Sequence, residues 1–407
     1  MARVRNLHVN VPGTTVQAFQ ALIDPHGPFD PVTIWPKVKA LHWSSPDNLK
    51  FMEHFLTLGI RNLDIYLEGA EDEDVLEVLG LMDSRCMDLE DLHLFDPLET
   101  REKEEIQDVI RQIIYNNSLT LKRLSPPQYL SASLVNNILT LPELEELEIC
   151  FPEIPHPMPQ DILPALKCLT VTVEEVPDFI DLFGTLRESK LAVFSLFCCY
   201  PTSPDDHEEM ADFFEDTGLF ASVEEFCWVP RPFGGGPTGE FVTTLESFAN
   251  LQVLSLHASC GQSCSFGFHH KDIVELSKRM PLLKELNLGG SPCADTDTVP
   301  DIGYHTLAVL ARNCRDLFLL TIHFNPKSFG FVPHDYMEPN WSVALWDVGD
   351  IAPPSHPVAV TMFALAVSKL FPRVVFKGEK TKYAREWDTI HEELRMITLP
   401  ANHGLLN

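Results

Sequence analysis

The sequence predicts an α/β fold: a curved leucine-rich-repeat solenoid with an inner parallel β-sheet, outer helices and about 14 irregular repeats. Three observations predict it. A six-residue frame, L-x-x-L-x-L, recurs along the chain; helix-like stretches separate its copies; and 407 residues exceed what one compact core normally holds unless repeats stack.

The frames stand at VRNLHV (4–9), VKALHW (38–43), IRNLDI (60–65), LEDLHL (89–94), LKRLSP (121–126), LEELEI (144–149) and LKCLTV (166–171). They continue at LAVFSL (191–196), VEEFCW (223–228), LQVLSL (251–256), LKELNL (283–288), LFLLTI (317–322), VALWDV (343–348) and FPRVVF (371–376). Their mean spacing is about 28 residues, near the upper end for leucine-rich repeats. Residues two apart in a strand share a face, so the last two apolar positions of each frame point into a common core while the residue between them points out. In the fifth frame Pro126 takes the last apolar slot and predicts an interrupted strand.

Between frames the apolar spacing shifts to three and four, predicting outer helices over 74–82, 101–117, 205–216, 271–280 and 305–314. The acidic runs EDED (71–74), ETREKEE (99–105) and PDDHEE (204–209) fall at helix starts, where carboxylates meet the positive end of the dipole and cap free N–H groups. Residues 1–376 are read as the repeat array and 377–407 as a C-terminal cap and tail. The helix expected from Tyr383 to Met396 turns Trp387, Ile390 and Leu394 inward. Nothing comparable covers Val4, Leu7 and Val9, so the first repeats are expected to be poorly ordered.

Fifty-nine acids against 30 bases give a formal charge of −29, which disfavours nucleic acid and anionic membrane surfaces as partners. MARVRNLHVN lacks the apolar stretch of a signal peptide, and AVTMFALAV (359–367) is too short to span a membrane. Cysteines such as Cys150, Cys168, Cys199 and Cys227 sit inside strand-like runs, as small buried side chains do in a reducing compartment; a cytoplasmic or nuclear location is expected.

Two motifs invite chemistry. FGGGPTGEF (233–241) fits G-x-G-x-x-G, but no acid stands about 20 residues on, and Pro237 removes a donor from the would-be phosphate cradle. It reads as a turn joining an inner strand to an outer helix. Cys260 and Cys264, with His257, His269 and His270, offer the only zinc-like spacing; Gly and Ser dominate it, and a loop is the reading adopted. No G-x-S-x-G, H-E-x-x-H, G-K-[ST] or C-x-x-C occurs. Neither a catalytic role, a cofactor nor a metal is expected.

Recognition of a protein is therefore the expected task, on the face that the frames turn outward from the core. In the eighth to tenth units that face offers an apolar strip of Val193, Phe197, Cys227, Val229 and Val253, flanked by Glu146, Glu148 and Glu225. It suits a partner with an apolar anchor and basic neighbours. The segment 323–342 could fold over this face as a lid.

KVKALHW, VALWDVGD and LAVSKLFPRVVF, with the terminal amphipathic YAREWDTIHEELRMI, resemble the substrate-receptor region of fungal F-box proteins with leucine-rich repeats. The resemblance implies a ubiquitin-ligase receptor whose repeats hold the target protein, with the cullin-linked adaptor joining if an F-box lies upstream. Only Met1, Ala2 and Arg3 precede the first frame, so repeats without their F-box are expected. The alternative is a leucine-rich-repeat scaffold or regulatory protein unrelated to ubiquitination.

Overall fold

The computed structural model describes residues 5–10, 38–95, 104–155, 162–184, 190–199, 204–217, 219–230, 245, 248–256, 268–289, 301–322, 324–329, 339–348, 351–377 and 383–402. The chain forms two compact units. Unit 1 is Met1–Val173 with Asp181–Leu191, and unit 2 is Glu174–Ile180 with Ala192–Asn407.

Unit 1 carries β1 (Asn6–Val9), β2 (Ala40–Trp43), β3 (Asn62–Tyr66), β4 (Asp91–Phe95), β5 (Arg123–Ser125), β6 (Glu146–Cys150) and β7 (Cys168–Val173). Unit 2 carries β8 (Val193–Cys198), β9 (Glu225–Pro230), β10 (Val253–Leu256), β11 (Glu285–Asn287), β12 (Leu319–Thr321), β13 (Leu345–Asp347) and β14 (Val375–Lys377). Every frame thus contains one strand. Within each unit the strands are parallel, and each lies beside the next in sequence. This is the α/β leucine-rich-repeat fold.

Alternation explains the ladder. In β6 the pattern runs exposed Glu146, buried Leu147, exposed Glu148, buried Ile149. A slip of one residue would turn both apolar side chains into water, so burial fixes the register. β5 stops at Ser125 because the following Pro126 has no N–H for the ladder. β1 pairs with β2 over four residues, with Val9 buried and Leu7 half-buried, while Val4 lies outside the described residues.

Helices cover the buried face. They are α1 (Asp72–Arg85), α2 (Glu104–Asn116), α3 (Ala132–Leu139), α4 (Val176–Phe183), α5 (Pro204–Thr217), α6 (His270–Arg279), α7 (Tyr304–Asn313), α8 (Pro357–Leu370) and α9 (Ala384–Asn402). In α2, Ile106, Ile110, Ile113 and Ile114 form the buried stripe. Acids do begin α1, but Glu71 makes no side-chain cap bond; Asp72, Glu73 and Asp74 act through the dipole of the first turn.

The second apolar station is leucine in every strand of unit 1, from Leu7 to Leu169. In unit 2 it becomes Phe194, Phe226 and Trp346 at three stations, and the ladder pairs Trp346 with Phe376 rather than Val374, so the frame expected at 371–376 sits two residues out of step with its strand. Phe194 stacks on Phe226 at 5.4 Å, and Phe248 lies 5.1 Å from Phe226 and Phe214, an aromatic core worth more burial per residue than leucine.

Buried asparagines tie neighbouring repeats. Asn117 after α2 donates to the carbonyls of Cys86 and Ile113 and accepts from the N–H of Leu89. Asn340 donates to the carbonyls of Ala311 and Cys314 and accepts from Ser342. Each satisfies backbone groups that the end of a helix would otherwise leave unpaired. At the C-terminal end α9 packs on α8 and buries Trp387, Ile390 and Leu394, with the Trp387 indole donating to the carbonyl of Ile351 at 2.9 Å.

Candidate functional site

The open side of each strand ladder is the candidate surface. On unit 2, register sets the order of the strip: Val193 pairs with Glu225 and Glu225 with Val253, so Glu225 sits between the two valines. Glu225, expected on the flank of the strip, lies at its centre by lateral pairing. One step along the strands, Ser195, Cys227 and Ser255 stand side by side, and Phe197 pairs with Val229. The four apolar side chains and Cys227 are half-buried, and Glu225 is exposed. Burial pushes the Cys227 thiol up, against a hydrogen bond from Ser255, away from the thiolate that a nucleophile needs. Glu146 and Glu148 lie on β6 of unit 1, both exposed, with Glu148 accepting from the Ser125 hydroxyl at 3.1 Å.

Unit 1 has its own features, which the sequence reading touched only in part. Strand pairing lines up His8, His42, Asp64 and His93 across β1–β4, and Asn6, Ala40, Asn62, Asp91 and Arg123 across β1–β5. These two rows line a cleft of about 230 Å³. Asp91 is buried in its floor, where the amide of Asn62 and the guanidinium of Arg123 both donate to it; that pairing is what permits a buried carboxylate. Asp64 differs: its side chain is 39% exposed, and His42 Nδ1 stands 3.4 Å away. Beside this row Tyr66 stacks on Phe95 at 4.6 Å. The His8 and His42 rings lie 5.2 Å apart, and no three His, Cys, Asp or Glu side chains among the described residues converge as a metal site.

A ladder of charges borders the strand starts. Arg61 pairs with Glu90, and Lys122 approaches Glu90 at 3.8 Å; Lys167 meets Glu145 at 2.7 Å. The hydrogen bond from Arg61 holds the Glu90 carboxyl below the usual carboxylate range, and the bond from Lys167 does the same for Glu145. Being solvent-exposed, these pairs add little to stability.

The motifs weighed in the sequence fall as follows. FGGGPTGEF, Cys260, Cys264, His257 and, within 323–342, residues 323 and 330–338 lie outside the described residues. His269 and His270 are engaged at the start of α6: the His269 N–H donates to Asp272, the His270 N–H donates to Asp301, and His270 Nδ1 lies 2.8 Å from the Thr306 hydroxyl. Among the described residues no helix is long and apolar enough to cross a membrane.

No family model matches the chain, and no curated protein matches it. Among solved structures it is similar to LegL7, a leucine-rich repeat-containing protein from Legionella pneumophila, at 12% identity over 88% of this chain and 96% of that one, with a TM-score of 0.40. It is also similar to an internalin (inlF) from Listeria monocytogenes, at 10% identity over 79% of this chain and 81% of that one, TM-score 0.37. A third is the TLR13–ssRNA13 complex, at 12% identity over 83% and 54%, TM-score 0.34. The fold is read from the strand ladders themselves.

Proposed function

We propose that this chain is a non-enzymatic protein-recognition module that holds a target protein on the open face of its strands. The observation that carries this is the strip on unit 2: apolar Val193, Val253, Phe197 and Val229 half-exposed on the solvent side of a sheet, around the central carboxylate of Glu225. An apolar anchor with a basic neighbour fits that pattern, since the anchor supplies desolvated area and Glu225 supplies orientation. Parallel-stacked repeats present such surfaces without needing a catalytic pocket.

The resemblance of 37–43, 343–350 and 365–376, with the terminal 383–397, to fungal F-box receptors makes target recognition for a ubiquitin ligase the finer reading. A scaffold with no link to ubiquitin is the alternative, and co-purification of the cullin-linked adaptor separates the two. The site itself is tested by Val193→Asp with Val253→Asp: capture of the target should fall at least tenfold with the far-ultraviolet spectrum unchanged. Undiminished capture by this double variant would reject the strip.

A further inference from the structure

We infer that the surface formed by Asp64, Tyr66 and Phe95 on unit 1 binds an arginine side chain in a basic segment of a protein partner. The inference deepens the protein-recognition reading and rests on it, but concerns other residues.

Asp64 is a carboxylate of the cleft whose side chain is 39% accessible, with His42 Nδ1 3.4 Å away as its neighbour, whereas buried Asp91 is paired by Arg123 and Asn62. Tyr66 lies two residues on along β3 and so shares the face of Asp64. Its ring stacks on Phe95 at 4.6 Å and meets His42 at 5.4 Å, and Phe95 is 37% exposed. A carboxylate on the same strand face as a partly exposed aromatic pair is the chemistry that takes a guanidinium, which pairs with the acid while its alkyl stem and plane lie against the rings.

Charge beyond the rings favours the same guest. After Tyr66 the chain passes exposed Glu68 and Glu71 into Asp72, Glu73 and Asp74 at the start of α1. Arg123, which lines the cleft, is paired with Asp91, and Arg61, three residues before Asp64 and about 10 Å away at the rise of a strand, is tied to Glu90. That distance is roughly one Debye length in physiological salt.

The test is calorimetric titration of the full chain with the peptide acetyl-Gly-Arg-Gly-Lys-Gly-Lys-amide at low salt. We expect saturable one-to-one binding that weakens at least tenfold when the arginine is replaced by citrulline. Asp64→Asn should weaken it at least tenfold, and Phe95→Ser severalfold, whereas Glu209→Gln on α5 should leave it unchanged. Equal binding of the citrulline peptide, wild-type affinity in Asp64→Asn, an equal loss in Glu209→Gln, or absence of saturable binding would each overturn the inference. So would free arginine binding as tightly as the peptide, since that describes a small-cation site. Because the titration needs no natural target, its failure leaves the strip of unit 2 to stand or fall on its own variants.

Discussion

The side-chain amide of Asn117 donates to the carbonyl of Cys86, 2.9 Å away and 31 residues earlier, and so fastens the end of one repeat to the end of the repeat before. The same side chain reaches the N–H of Leu89 at 2.8 Å, and it is almost wholly buried. Asn117→Ala leaves these groups unpaired, each at a cost of roughly 1–3 kcal/mol. Urea unfolding of unit 1 should therefore lose about 2–4 kcal/mol, and Asn117→Asp should not restore it, because a carboxylate donates to neither carbonyl.

Trp387 closes the other end. Its ring lies 5.2 Å from Phe376 and 5.8 Å from Phe363, and its indole donates to Ile351. Trp387→Ala should cost about 3–5 kcal/mol and lower the thermal midpoint of unit 2, while Trp387→Phe should cost less, since most of the buried area survives.

Gly69 has φ of +80° in the turn between β3 and α1, with no atom within 4 Å of where a Cβ would stand. Gly69→Ala should thus lose about 1 kcal/mol through backbone strain alone. Thermal unfolding of the variant checks this.

Burial pushes the thiols of Cys86, Cys198 and Cys314 up to about 12. The unfolded chain releases these protons at about pH 8.5–9, so above that pH the folded state binds more protons than the unfolded one. Stability should fall as pH rises from about 9 towards 12, and below pH 8 these thiols should contribute no slope. Urea midpoints measured between pH 7 and 10.5 check the sign; replacing all three cysteines by alanine should flatten the alkaline limb.

The strands were legible because period-two alternation fell in a fixed frame, and burial of Leu147 and Ile149 or Leu254 and Leu256 leaves one register open. Three helices were not. α3 and α4 are eight residues each, too short to show a period, and α8 is apolar over most of its surface, which hides one. The ties made by Asn117 and Asn340 have no local signal, since an asparagine near a helix end usually serves its own turn. Individual outward residues such as Asp64 and Val193 were readable from their slots in the frame. That Glu225 falls between Val193 and Val253, and Asp64 between His42 and His93, depends on lateral pairing across 22 to 32 residues of sequence.

The central claim, that the open strand face holds the partner, is tested most directly by site-specific photo-crosslinking in cells. A photoreactive residue at Phe197 on β8, on the strand face, is compared with one at Lys278 on the exposed side of α6. The account predicts that the target crosslinks from position 197 and not from position 278. Crosslinking from 278 alone would contradict it.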